Sequence, residues 1–228
     1  MGNMEKCLGF GGLGDCFIVI LKLLEYSDNI IYTHIDVSKS RLQMSSRLLE
    51  RFGIRHRCLK VNNIRNWWGI KHREFDKCFN VFSKGYIDIP IRPYHWQPCI
   101  DEGFHNAYAA SVNKEDLVAV QVNSAGPRSY KTRPIITTAL SDFDPDKIIW
   151  FGTDTDFSCK QGTNYVGKTD FIGALDLVAR CKYFMGFPSV MLYWALYNKS
   201  QCSVFVDHQG KSDLRIHDNW RKHLEYKD

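Results

Sequence analysis

An α/β fold of two successive parallel-sheet units facing across a cleft is what this 228-residue chain predicts. Three observations predict it. Short strand-like runs alternate with helix-patterned runs, as crossover connections between parallel strands require. The alternation breaks at a proline-rich stretch and then restarts. And the unusual loops all follow strands, which places them on one side of the sheets.

The elements follow in order. Lys6–Phe10 reads as the first strand, and Asp15–Tyr26 as a helix apolar on most faces, as expected for packing on a sheet. Asn29–Ile35 is a β-branched strand. Ser38–Phe52 is amphipathic, with Leu42, Leu48, Leu49 and Phe52 near one face and Gly53 suited to its stop. Cys58–Val61 and Lys77–Phe82 are further strand candidates. From Tyr86 to Ala110, Pro90, Pro93 and Pro98 interrupt any regular helix, and the segment reads as a connector or cleft-lining loop. Leu117–Val122 restarts the pattern as a strand, and Lys147–Phe151 is another. Thr169–Lys182 reads as a helix from the spacing of Phe171, Leu175, Val178 and Cys181. Tyr183–Gly186 is a strand, Val190–Tyr197 a buried helix, Ser203–Asp207 a strand, and Leu214–Tyr226 a closing helix. The predicted units are residues 1–112 and 113–228.

Composition narrows the function classes. Hydrophobic residues make up 44% of the chain, enough for a real core. No apolar run reaches the length of roughly 18 residues that a membrane span needs, and no signal-peptide pattern opens the chain. Eight cysteines carry no C-x-x-C spacing and read as reduced core thiols of a cytoplasmic protein. The net charge of +5 is uneven. Eight Lys and Arg residues stand between Arg51 and Lys77, around Trp67 and Trp68. Such a stretch is either a solvated basic surface over buried indoles or a surface for an anionic partner, a glycolipid core or a nucleic acid.

Residues 9–15, with four glycines in the six positions from 9 to 14, carry the strongest functional signal. Glycines there allow a tight turn and close approach to a ligand, and the helix that follows aims free N–H groups at it. Asp15 adds a carboxylate at the mouth. Gly9, Gly11 and Gly14 also satisfy G-x-G-x-x-G, with Asp36 at a ribose-binding distance. That pattern leaves a dinucleotide or methyl-donor enzyme open, although the first glycine lies inside the strand. The second unit holds a basic loop, Asn123–Pro134, with Arg128, Lys131 and Arg133 ahead of a helix begun at Pro134. Fixed cations in that context suit a diphosphate, and solvated loop charge is the plainer reading. Ser189, after Gly186-Phe187-Pro188, is a helix N-cap or a phosphate contact. Asp154-Thr155-Asp156 reads as a polar loop rather than a metal site.

Taken in order, these segments resemble the GT-B glycosyltransferases of family 9, the heptosyltransferase-like enzymes. Gly11-Gly12-Leu13-Gly14-Asp15 is similar to that family's opening G-G-[IL]-G-D before an apolar helix. Lys131-Thr132-Arg133-Pro134 resembles its K-R-W-P segment, and Gly167-Lys168-Thr169 with the run to Gly186 resembles its G-x-T…G segment. The family's D-S-G-x-x-H turn is reduced here to its serine, since the matching positions read Pro188, Ser189, Val190 and Tyr193. The resemblance implies two Rossmann-like domains and metal-independent transfer of a sugar from a nucleotide-sugar co-substrate, with no resident cofactor. Asp15 would be the general base. Gly12, Gly14, Asn123, Arg128, Lys131, Arg133, Thr169, Gly186 and Ser189 would hold the donor. Arg65, Trp67, Trp68 and Lys71 would face an anionic acceptor. A degenerate relative that binds a nucleotide-sugar or nucleic acid without turnover remains the alternative reading, with a Rossmann methyltransferase or oxidoreductase behind it.

Overall fold

The computed structural model describes residues 4–24, 29–71, 74–80, 96–98, 109, 113–122, 133–153, 161–205 and 218–227, with some side chains within these ranges, Arg65, Trp68 and Arg133 among them, outside the description. The chain divides into two compact units, Met1–His105 and Asn106–Asp228.

The first unit is built on a five-stranded sheet in the order β3-β2-β1-β4-β5, with every neighbouring pair parallel. Its strands are β1 (Glu5–Phe10), β2 (Ile30–Asp36), β3 (His56–Lys60), β4 (Lys77–Asn80) and β5 (Trp96–Pro98). The parallel register pairs Leu8 with Thr33 and Phe10 with Ile35, so these four share one face. Cys7, Gly9, Tyr32, His34 and Asp36 take the other face. Helix α1 (Leu13–Leu23) is buried from Cys16 to Leu23, which explains its all-round apolar sequence. Helix α2 (Lys39–Arg51) buries only Leu42, Ser45, Leu48 and Leu49, and Ser38 caps it by accepting from Arg41 N–H at 3.4 Å. Helix α3 (Ile64–Lys71) was not expected from the sequence. Its Ile64 and Trp67, three apart, pack on a core cluster of Leu8, Ile35, Val61 and Cys78, beside Phe10. Three Asn, an Arg and a Gly in residues 62–69 masked this short apolar stripe from periodicity reading.

The second unit has six parallel strands in the order β11-β10-β9-β6-β7-β8. They are β6 (Glu115–Gln121), β7 (Ile148–Phe151), β8 (Thr163–Asn164), β9 (Cys181–Gly186), β10 (Gln201–Phe205) and β11 (Leu224–Lys227). The helices are α4 (Arg133–Ala139), α5 (Phe171–Arg180), α6 (Val190–Tyr197) and the single turn α7 (Asp218–Arg221). Val118, Val120, Ile136, Trp150, Met185 and Phe205 belong to one core cluster on this sheet. The Trp150 indole N–H donates to the Gln161 carbonyl at 2.6 Å, so the large ring is buried with its polar atom satisfied.

Two sequence expectations are corrected here. The helix read as Thr169–Lys182 ends at Arg180, and Cys181 starts β9 with no loop between. Glu115 opposite Cys181 draws the chain into the sheet at that point. The Lys114 ammonium donates to the carbonyls of Ala179 (2.7 Å) and Cys181 (3.2 Å) and to Ser200 Oγ (2.8 Å), satisfying acceptors that the helix end leaves open. The closing helix expected over Leu214–Tyr226 is also replaced: its described part holds only the one turn of α7, and Leu224–Lys227 pair with Cys202–Phe205 as the edge strand β11. Sheet pairing overrides the weak helical preference of so polar a segment. The short strands β5 and β8 were likewise not foreseen, because two or three residues carry no readable period.

Counted within its own unit, each sheet runs 3-2-1-4-5, with a sixth strand added in the second. The strand order therefore reverses between β1 and β4 and again between β6 and β9. In sheets of this kind ligands bind outside the carboxyl ends of the strands at such a reversal.

Candidate functional site

In the first unit the reversal point is occupied by the glycine turn. Gly11 has φ +121°, a conformation that only glycine adopts readily, and a side chain there would collide with the Asp15 carboxylate. Gly12 is the N-cap of α1, and its N–H donates to Asp15 Oδ2 at 2.7 Å. The carboxylate is thus folded back over the turn that precedes it and half-buried. Gly14 lies in the first turn of the same helix. Asp15 sits in the first turn of α1, where the helix N-terminus concentrates partial positive charge.

Behind the turn lies a polar stripe on β2. Tyr32 Oη bonds His34 Nδ1 at 3.0 Å, and the Tyr32 ring fills the space that a side chain on Gly9 would need. That is why a glycine stands inside the strand. His34 is fully buried, and its Nε2 has no hydrogen-bond partner. Burial pushes its pKa down to about 4, against the opposing pull of Asp36, so the ring is neutral. Asp36 is 1% exposed and holds a two-pronged pair with Arg41, Nε to Oδ2 at 2.7 Å and Nη2 to Oδ1 at 2.6 Å. Ser38 N–H adds a third bond at 2.8 Å. Burial alone would raise this carboxyl, but the Arg41 and Ser38 donors outweigh it and hold it below the usual carboxylate range. Both oxygens are engaged, so Asp36 is poorly placed to accept from a ribose as the dinucleotide reading requires.

In the second unit the reversal point gathers Gln121 at the end of β6, Gly186 at the end of β9, and Ser189. Ser189 is the N-cap of α6, accepting from Leu192 N–H at 3.4 Å, and its hydroxyl also donates to Gln121 Oε1 at 2.7 Å. Gly186 lies against Gln121, where a Cβ would come within 2.9 Å of the glutamine's own. Thr169 immediately precedes Asp170, the N-cap of α5, and Thr169 Oγ1 is buried without a hydrogen-bond partner. An unsatisfied buried hydroxyl is disfavoured by roughly 1–3 kcal/mol, which a bound oxygen would relieve. Asn123, Arg128 and Lys131 lie outside the described residues, as do Asp154 and Asp156. Arg133 is the first residue of α4. Among the described residues no group of His, Cys, Asp and Glu is placed to hold a metal ion, and no helix is long and apolar enough to cross a membrane. Six described cysteines form no disulfide, five of them are buried, and burial lifts Cys7 and Cys78 to about 12.

Of the expected acceptor residues, Trp67 and Lys71 line one open cavity of about 430 Å³ in the first unit. Lys60, Val61, Asn62, Asn63 and Asn66 complete its wall. Arg65 and Trp68 lie on the same helix.

Sequence reasoning missed Gln121, the three asparagines and the Tyr32–His34 pair. The last had a visible signal: Tyr32, His34 and Asp36 alternate at the strand period within an otherwise apolar run.

Fold and reversal-point loops together define a pair of parallel-sheet α/β units that share one strand order. Among solved structures, the fold is similar to that of a glycosyl transferase family 9 protein from Veillonella parvula DSM 2008, with a TM-score of 0.53 at 13% identity, covering 90% of this chain and 82% of that one. It is also similar to the E. coli ADP-heptose LPS heptosyltransferase II, with a TM-score of 0.50 at 13% identity over 98% of this chain and 90% of that one. By sequence, no family model and no curated protein matches.

Proposed function

We propose that the chain is a glycosyltransferase that moves a sugar from a nucleotide-activated donor to an acceptor hydroxyl, without a metal. The observation that carries this reading is Asp15, a carboxylate held by the Gly12 N–H at the reversal point of its sheet. The fold shared with the family 9 structures supports it.

In the proposed reaction Asp15 accepts the proton of the acceptor hydroxyl. The acceptor oxygen attacks the anomeric carbon as the bond to the nucleotide diphosphate breaks, and the diphosphate leaves with the electron pair. Charge grows on that leaving group, so donors placed beforehand lower the barrier. Lys131, Arg133, Arg128 and Asn123 are assigned to it, with the helix start at Ser189. Thr169, whose Oγ1 has no partner, is assigned to the donor nucleotide, and Gly12, Gly14 and Gly186 give the ligand backbone access. The E. coli heptosyltransferase is named for ADP-heptose, so ADP-sugars head the candidate donors.

A panel of ADP-, UDP-, GDP- and CMP-sugars tests the donor. One of them at 100 times its dissociation constant should raise stability by about 2.7 kcal/mol. Asp15→Asn should lower turnover by about two to four orders of magnitude while leaving that stabilisation intact. Unchanged turnover would remove Asp15 from the role. A second reading, donor binding without turnover, is favoured by Pro188, Val190 and Tyr193 standing where the D-S-G-x-x-H turn of the family that the sequence resembles has Asp, Gly and His. Full donor stabilisation with no product from any acceptor would select it.

A further inference from the structure

We propose that the outer edge of β11 is a self-association surface, on which two copies of this chain pair antiparallel about Tyr226 and join their second-unit sheets into one. The inference concerns a different part of the molecule from the sugar-transfer reading and does not depend on it.

A sheet edge presents backbone N–H and C=O groups to any strand that can reach them. Proteins blunt such edges by keeping them short or by loading them with like charge. Among the described residues the two sheets have four edges. β5 is three residues long and ends in Pro98, which has no N–H to give, and β8 has only two residues. β3 carries Arg57 and Lys60, with Arg55 just ahead, and holds no acid that a second copy's cations could meet. β11 is different. It is four residues long, with Glu225 exposed and the other three half-exposed. It carries both signs of charge: Glu225 and Lys227 share one face and pair at 2.6 Å. Ser203 Oγ donates to Glu225 at 3.3 Å and helps to hold the carboxylate on that face.

The backbone fixes which groups face outward. Cys202 N–H donates to the His223 carbonyl at 2.7 Å, so His223 and, at the strand period, Glu225 and Lys227 turn their backbone groups toward β10. Leu224 and Tyr226 turn theirs away from it. In an antiparallel pair, residues that exchange backbone bonds stand directly opposite each other. Outward residues of one copy must therefore face outward residues of the other, which centres a twofold pairing on a residue rather than between two. The two such registers that overlap most of the strand are centred on Glu225 and on Tyr226. The first sets glutamate against glutamate, which is unfavourable. The second exchanges two N–H to C=O bonds between the tyrosines. It also sets each Glu225 opposite the other copy's Lys227, at the non-bonded positions where side chains come closest. Charge therefore selects the register centred on Tyr226.

Sedimentation velocity on the full chain, from about 10 µM to about 1 mM, covers the affinities that so short an interface reaches. A monomer–dimer equilibrium is expected. Hydrogen exchange at the Tyr226 amide should slow as concentration rises, while the Glu225 amide, turned toward β10, keeps its rate. Glu225→Lys and Lys227→Glu each set like charges opposite one another at both pairs of the dimer, and each should weaken it by about tenfold or more. Mixed in equal amounts, the two variants should associate again, because every like pair then becomes an opposite one. Glu225→Gln, which removes the charge alone, should weaken the dimer severalfold and serves if either reversal loses its fold by circular dichroism. A monomer throughout the range, a dimer indifferent to these substitutions, or folded variants that stay apart on mixing would overturn the proposal.

Discussion

The two units share one winding and differ in what they put behind it. Counted from its own first strand, each sheet runs 3-2-1-4-5. Yet the first unit backs its reversal point with the Tyr32, His34 and Asp36 stripe, whereas the face of β6 and β9 carries Val118, Val120 and Met185. Strand order thus follows from alternation and handedness alone, and two sheets reach it with unlike interiors. What lies beneath the loops is a separate choice, and it decides how each unit responds to acid and to truncation.

The largest effect should come from the apolar interior. Trp150→Ala removes a fully buried indole and is expected to cost about 3–5 kcal/mol. Hydrogen exchange checks the comparison: amides of β6, β7 and β9 should lose protection while those of β1 and β2 keep theirs. Equal loss in both units would show that they unfold as one.

Acid probes the polar interior next. His34 has a folded pKa of about 4, below its ordinary value of 6.5. The unfolded chain therefore takes up a proton first as pH falls, and stability declines between about pH 6.5 and 4, by at most about 3 kcal/mol. Asp36 is shifted downward too, so its contribution is present above the ordinary carboxylate range and is lost as pH falls below that range. Urea midpoints measured from pH 7 to 4 should slope for the intact chain and flatten for His34→Gln; an unchanged slope would assign it to other groups.

Arg41→Ala strands the Asp36 carboxylate. A fully dry pair broken this way costs about 3–5 kcal/mol, and about 2 is expected here because Arg41 is 45% exposed. Asp36→Asn combined with Arg41→Ala should recover part of it in chemical denaturation, and additivity would mean that the pair is uncoupled.

The smallest change sharpens the helix boundaries of the second unit. Lys199 follows α6 with φ +61°, and Ser200 N–H closes onto the Ala195 carbonyl at 2.9 Å. Lys199→Gly should raise stability by up to about 1 kcal/mol, read as a higher Tm, and a lower Tm would mean that the lysine side chain matters more than its backbone strain.

Much of this architecture was legible in the sequence. Val190–Tyr197 was bounded to the residue because Ser189 caps one end and Asn198 the other, both short polar signals around an apolar run. Ser38 and Gly53 bounded α2 in the same way. The end of α5 was not legible, since Cys181 continues the helical spacing while its partner strand lies some sixty residues earlier. At the candidate site, Asp15 and Ser189 could be named because they sit beside glycines and turns. Gln121 could not, because nothing local marks a glutamine that meets a serine 68 residues on. The asparagines around Trp67 were hidden by the basic residues among them, which drew attention to charge rather than to amides.

Arg180 and Cys181 join helix to strand without a single spare residue. Adding one amino acid there would turn β9 over, moving Lys182 and Phe184 together to the face now held by Tyr183 and Met185. This junction is therefore a poor place for length variation, and a tag or graft intended to leave the molecule intact belongs elsewhere.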